Sequence, residues 1–303
     1  MEWFFQQLIN GLALGAIYGL IALGYTMVYG VLRFINFAHS DVMMLGAFAA
    51  YFLAPTVGKI FPPQSFLGAL TLTILAAAIC AALGMIIEFL AYRPLRKRPK
   101  LTVLITAIGV SLFIESTCQH KNVFGSGARP FPQLLPMKDF HFAGLVMNSN
   151  DLVVLVTTVI LLAVLWLIVQ HTKMGRAMRA VSFNMPAASL MGVNVNRVVS
   201  FTFGLGSALA AIAGILYSMR APGIEPLMGI QPGLRAFIAA VLGGIGNLPG
   251  AALGGIVLGV VETFAGGIPG VSNYRDGIAF AMLIAILIFR PAGLLGKVQT
   301  EKV

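Results

Sequence analysis

KMGRAMRAVSFNMPAASLMGVNVNR, residues 173–197, is a polar stretch set between two apolar runs, 151–170 and 199–219. The flanking runs are long and apolar enough to be helices buried in lipid. The stretch between them must therefore stand in water at a membrane surface. It carries Lys173, Arg176, Arg179 and Arg197 and no acidic residue, which sets it on the cytoplasmic side. Ala187-Ala188, three further residues and Gly192 read as a short exposed helix closed by a glycine turn. Hung between two spans, such a helix has the shape to dock on a soluble partner.

Composition agrees with a bilayer as the solvent. Of 303 residues, 58% are hydrophobic and only 10% charged, against roughly 25% charged in soluble domains. Backbone groups inside the hydrocarbon must pair internally, leaving helix bundles or closed barrels. The apolar stretches are too long and too uniform for barrel strands, so the expected fold is all-α, a polytopic membrane helix bundle. The net charge of +10 is gathered in short loops beside apolar runs, as topology demands, and argues against a nucleic-acid partner. Cys80 and Cys118 lack any ligand spacing and read as small core residues; no metal site is expected. The Met-Glu-Trp-Phe-Phe start has no basic segment of the kind a cleaved signal carries, and Trp3, Phe4 and Phe5 suit an interfacial anchor.

The spans are read at 6–31, 41–57, 65–91, 101–117, 151–170, 199–219 and 277–290, with a Gly-rich region at 233–265. The run RPLRKRPK at 93–100 holds five Lys/Arg and belongs in the cytoplasm, as do the 171–198 loop and the tail after Arg290. That places the N-terminus and the 118–150 loop outside. Parity then requires 233–265 either to cross twice or to dip in and return, broken at Asn247–Gly250, for eight or nine membrane segments in total. The whole chain, 1–303, reads as a single transmembrane domain with its cytoplasmic loop at 171–198. Glycines recur four apart at Gly11, Gly15 and Gly19, and again around Gly250, Gly254, Gly255 and Gly259. Such spacing suits close helix packing. A faint likeness between 11–24 and 203–216 hints at an internal repeat.

Two polar features interrupt the apolar background. RFINFAHSD at 33–41 is dense in polar groups; Asn36, His39 and Asp41 are placed either to cap the second span or to sit at a cytoplasmic gate where an imidazole senses closure. Glu88, Glu115 and Glu262 are the acids nearest the hydrocarbon. Glu88 lies four before Tyr92 and five before Arg93, close enough to the cytoplasmic rim for a structural pair. Glu262, alone in an apolar helix, is a pathway candidate unless it meets interfacial water. No HExxH, GxSxG or GxxxxGK[ST] signature occurs, so neither hydrolysis nor ATP binding is expected of this chain.

Taken together, GYTMVYGVLRFINFAHSD (24–41), AYRPLR (91–96), MGRAMRA (174–180), AASLMGVNVNRV (187–198), AAVLGGIGNLPGAALGG (239–255) and RPAGLLG (290–296) closely resemble the LivH-type permeases of branched-chain amino acid ABC importers. The resemblance runs over nearly the full length. It implies an inner-membrane, multi-pass permease that carries branched-chain or other neutral amino acids. It also implies a second, LivM-type permease, two cytoplasmic ATPases that use the ATP, and a periplasmic binding protein. On the same ground, Gly175, Arg176, Arg179, Ala187, Ala188 and Gly192 are expected to couple to the ATPase. Two departures stand out: Pro186 replaces a Glu often found before the alanines, and Ser40 replaces a glycine after His39, which puts a close backbone approach there in question. Other cargoes of the class, urea or short amides, and an ion-coupled transporter working alone remain as alternatives.

Overall fold

A computed structural model describes residues 1–96, 98–142 and 144–296; Lys97 of the basic run and the lysines of the tail fall outside the described residues. The long apolar runs form helices because each satisfies its own backbone. They are α1 (Glu2–Leu32), α2 (His39–Val57), α3 (Phe66–Ile87), α4 (Lys100–Gln119), α5 (Ser149–His171), α8 (Val195–Arg220), α10 (Leu248–Gly267) and α11 (Arg275–Phe289). The loop at 171–198 contributes α6 (Lys173–Phe183) and α7 (Met185–Leu190), and the Gly-rich region begins with α9 (Ile230–Gly243). Several water-side starts are fixed by Asn side chains: Asn148, Asn184, Asn194 and Asn247 each accept a backbone N–H from the first turn they precede, at 2.8–3.2 Å. On the outer side, the antiparallel strands β2 (Asp139–Phe142) and β3 (Leu145–Asn148) form a hairpin. The amide of Gln6 clasps its edge through both polar groups of Val146 at 2.8 Å. A two-residue pair, β1 (Arg129–Pro130) with β4 (Gly223–Ile224), ties that loop to the exit of α8.

The region 233–265 proves to be two helices. The turn at 244–247 lies at the inner end of α1, with Gly246 backing onto Gly30. The tail seals it, Leu294 and Leu295 donating to the Leu242 and Gly243 carbonyls at 2.8 and 3.1 Å. At 14 residues, α9 rises only about 21 Å, short of the ~30 Å hydrocarbon. Its outer end starts inside the bundle, where Gly229 and Gly233 abut Ser40, after a partly buried approach through Ile224, Pro226 and Met228. The segment therefore crosses as a dip plus a short helix, giving eight long spans and one short one among the described residues.

Packing is organised around α1 and α8, which cross at the centre. α10 runs along α1 and α3 runs along α8, while α2 lies on α8 and α9 on α1. Exchanging α1–α4 with α8–α11 turns this pattern into itself with the directions reversed, the architecture of an inverted repeat. Contact between α1 and α10 is backbone on backbone: a Cβ on Gly15 would lie 2.7 Å from the Gly255 carbonyl oxygen, and one on Gly259 2.3 Å from the Gly15 Cα.

One charged cluster staples the second repeat. Arg235 of α9 reaches Glu262 of α10 at 3.3 Å and Asp276 of α11 at 2.7 Å, and donates to the Tyr18 hydroxyl of α1 at 3.2 Å. Glu262 is 5% exposed and faces Arg235 inside the bundle. Two outcomes are expected from thermal unfolding in detergent. Gly255→Leu should abolish a cooperative transition, whereas Gly109→Leu, with open space around its Cα, should leave it unchanged. Arg235→Met alone should cost about 3–5 kcal/mol by stranding the carboxylate, and the double variant Arg235→Met/Glu262→Met should recover most of that loss.

Candidate functional site

The cytoplasmic loop folds as an elbow rather than a single helix. Pro186 biases Met185 and what precedes it away from a continuous helix; Asn184 is extended (φ −152°) and caps α7 through the Ala187 N–H. Gly175 lies buried where α6 folds back on α5, for a Cβ there would sit 2.3 Å from the Ile168 and Val169 carbonyl oxygens. Arg179 donates to the carbonyls of Val169 and Gln170, closing the C-terminal end of α5 where a cation is favoured. Arg176 projects into solvent, as does Ala187. Ala188 instead is buried, its carbonyl accepting from Val193 at 3.0 Å, and forms the inner wall of the elbow. Gly192 closes the turn in the left-handed region (φ +84°) with free space around it. Phe183, Leu190 and Met191 stand 85–88% exposed on the same elbow, which no local pattern of apolar residues signals.

The inner side of the elbow is fastened to the core. Ser182 at the end of α6 donates to the Gly30 carbonyl, and Arg33 donates to the Ser182 carbonyl at 3.2 Å. Arg33 itself is left-handed (φ 57°) and ends α1. The chain there turns back into the bundle, so that α2 begins beside Gly24 of α1. Nine residues separate Gly24 from Arg33 along α1, which is about 13 Å of depth.

That re-entry overturns the capping role considered for 33–41. The N-cap of α2 is Ala38 and no side chain caps it. Asn36 accepts from the Tyr92 hydroxyl at 2.6 Å. His39 is 1% exposed, its ring 4.8 Å from Tyr25 and seated in a notch at Gly24, where a Cβ would lie 2.1 Å from Nε2. An imidazole so enclosed packs the joint between α1 and α2. Asp41 accepts from Ser111 of α4 at 2.5 Å. Ser40 keeps the close approach its neighbours require because α9 supplies the glycines, Gly229 and Gly233, that lie against it.

Glu88 is wholly buried, but its cation is Arg96, not Arg93; Ser200 of α8 also donates to it at 2.6 Å. The difference arises because α3 passes into a wider turn at Glu88–Tyr92 and a tighter one at Arg93–Leu95, which swings Arg96 back over the carboxylate. Arg93 instead lies over the Phe89 ring, 5.2 Å from its centre. Arg235 as the partner of Glu262, and Ser111 and Glu115 beside Asp41, are contacts that the fold makes between segments distant in sequence. A lone arginine inside an apolar run was the available signal, since such a charge demands a carboxylate nearby. Between the starts of α2 and α9 and the flank of α4 lies a cavity of ≈ 140 Å³.

Comparison with known proteins fits this architecture. Residues 7–287 match the family described as branched-chain amino acid transport system / permease component. The high-affinity branched-chain amino acid transport system permease protein BraD of Pseudomonas aeruginosa is 41% identical, over 99% of this chain and 98% of that protein. LivH of Salmonella typhimurium is 38% identical and LivH of Escherichia coli K12 37%, each over 99% of this chain and 98% of the relative. The ribose import permease RbsC of Escherichia coli K12 aligns over 41% of the chain at 33% identity. No solved structure matches. With its helices long and apolar enough to cross a bilayer eight times over, this is a multi-pass inner-membrane protein, and it belongs to the branched-chain amino acid transport permease family.

Proposed function

We propose that this chain is the membrane permease subunit of an ABC importer for branched-chain or other neutral amino acids, moved by ATPases that are separate polypeptides. The observation that carries the reading is the elbow of α6 and α7. Its outer surface offers Phe183, Ala187, Leu190 and Met191 to the cytoplasm, and its inner surface is bonded to the ends of α1 and α5. A partner that grips the apolar surface can therefore displace the helix ends that lead into α2. Shape and apolar burial dominate this docking, because exposed charge pairs at a rim contribute little. Arg176, like Lys173 and Arg197, is exposed and can meet an acidic partner surface, whereas Gly175, Arg179 and Ala188 serve by keeping the elbow rigid.

In this reading the chain binds no cofactor; ATP is used by the motors. A second permease of the LivM type completes the pathway, and a periplasmic binding protein delivers cargo to the outer face formed by the β2–β3 hairpin and its neighbours. The relatives' names support amino acids over urea or amides as the cargo.

Cysteines placed at Ala187 and Leu190 in the assembled complex are expected to crosslink to the ATPase, and one at the buried Ala188 is not. Absence of any crosslink from the elbow would sink the docking assignment. Gly192→Leu forces a side chain into the left-handed region, at roughly 1–2 kcal/mol. Uptake into vesicles should fall about tenfold or more, the equivalent of ~1.4 kcal/mol of lost coupling, while ATP hydrolysis persists. Accumulation by the purified chain alone, driven by an ion gradient without ATPases, would replace the ABC reading with a secondary transporter.

A further inference from the structure

The cavity among α2, α4 and α9 has two chemically distinct walls. One is apolar: Phe37 precedes α2, and Ile230, Leu234 and Phe237 lie along α9. The ring of Phe37 is 6.1 Å from that of Phe237, so the two form a continuous surface. The facing wall is polar, made by Ser111 and Glu115 on successive turns of α4. Behind Ser111 lies the buried carboxylate of Asp41, which accepts the serine hydroxyl at 2.5 Å. Among the described residues no Lys or Arg forms an ion pair with Glu115 or Asp41, although the membrane-depth acids Glu88 and Glu262 both have one.

Depth makes that contrast informative. Glu115 stands fifteen residues along α4 from Lys100, roughly 22 Å by helical rise. It is half-buried and lies four residues, about 6 Å, inside the outer end of α4 at Gln119. A carboxylate at that depth is costly against lipid and marks a polar path or a binding site. Both interrupted helices of the inverted repeat, α2 and α9, also begin at this cavity, where transporters of repeated architecture hold their cargo.

We propose that this cavity is a transit site at which the permease itself holds a zwitterionic aliphatic cargo. Glu115 takes the α-ammonium group, and the aliphatic side chain lies between Phe37, Leu234 and Phe237. The site rests on the amino-acid importer reading and deepens it, giving the permease a selection step separate from the binding protein. Ser111 orients the polar wall by holding Asp41, and Arg33's tie to Ser182 links the Phe37 side of the cavity to the elbow.

The test uses the assembled importer in proteoliposomes with ATP and its binding protein. Glu115→Gln is expected to keep assembly and ATP hydrolysis and to slow leucine uptake about tenfold or more; Glu115→Asp should keep most of the uptake. In a second measurement Leu234→Cys is labelled with a thiol reagent, the native cysteines being buried. Leucine should slow labelling during turnover, and isocaproate, its analogue without the amine, should not. Wild-type uptake by Glu115→Gln, or labelling indifferent to leucine, would overturn the transit site. An intact wild-type complex that moves no amino acid would instead overturn the importer reading.

Discussion

Where α1 meets α10, and α2 meets α8, peptide backbones touch with no side chain between them. Gly15, Gly255 and Gly259 bring the first pair together; Gly46 against Ala211 and Gly214 against Met43 bring the second. In a bilayer the hydrophobic effect does not drive helices onto one another, since lipid is as apolar as leucine. Close van der Waals approach has to supply the adhesion. The bundle's two halves depend on it, because α1 and α8 each carry the third helix of the opposite repeat.

With the frame held by dispersion contacts, charge is free to do local work. Glu88 with Arg96 and Ser200 ties α3 to α8 near the cytoplasmic end, and Arg235 with Glu262 and Asp276 ties α9, α10 and α11 toward the outer end. Among the described residues no such ion pair joins α2 or α4 to α9 across the cavity. There the polar groups are Tyr25, Ser40, Ser111, Asp41 and Glu115. An interface held by small residues and single hydrogen bonds can shift at low cost; one held by buried ion pairs cannot.

The cytoplasmic elbow addresses that softer region directly. Ser182 and Arg33 join α6 to the end of α1, and five residues beyond Arg33 the chain enters α2 beside His39 and Gly24. In the proposed coupling, a displacement of α6 would pass through the short non-helical segment 34–38 rather than through a long helix. Asn36, bonded to Tyr92, anchors the same segment to α3 and gives it a pivot.

By itself the sequence determined which segments are helices and that lipid surrounds them, because a bilayer demands long apolar runs and gathers Lys and Arg most densely in the cytoplasmic loops. It also determined the polar elbow and the break at Asn247, both written in local turn and capping chemistry. Tertiary structure alone decided where α2 and α9 begin: a non-helical segment at membrane depth is tolerated only when neighbours enclose it, and those neighbours lie far away in the chain. For the same reason only the fold decided that Glu262 answers Arg235, that Glu88 answers Arg96, that Ala188 turns inward, and that Glu115 and Asp41 stand together without a cation.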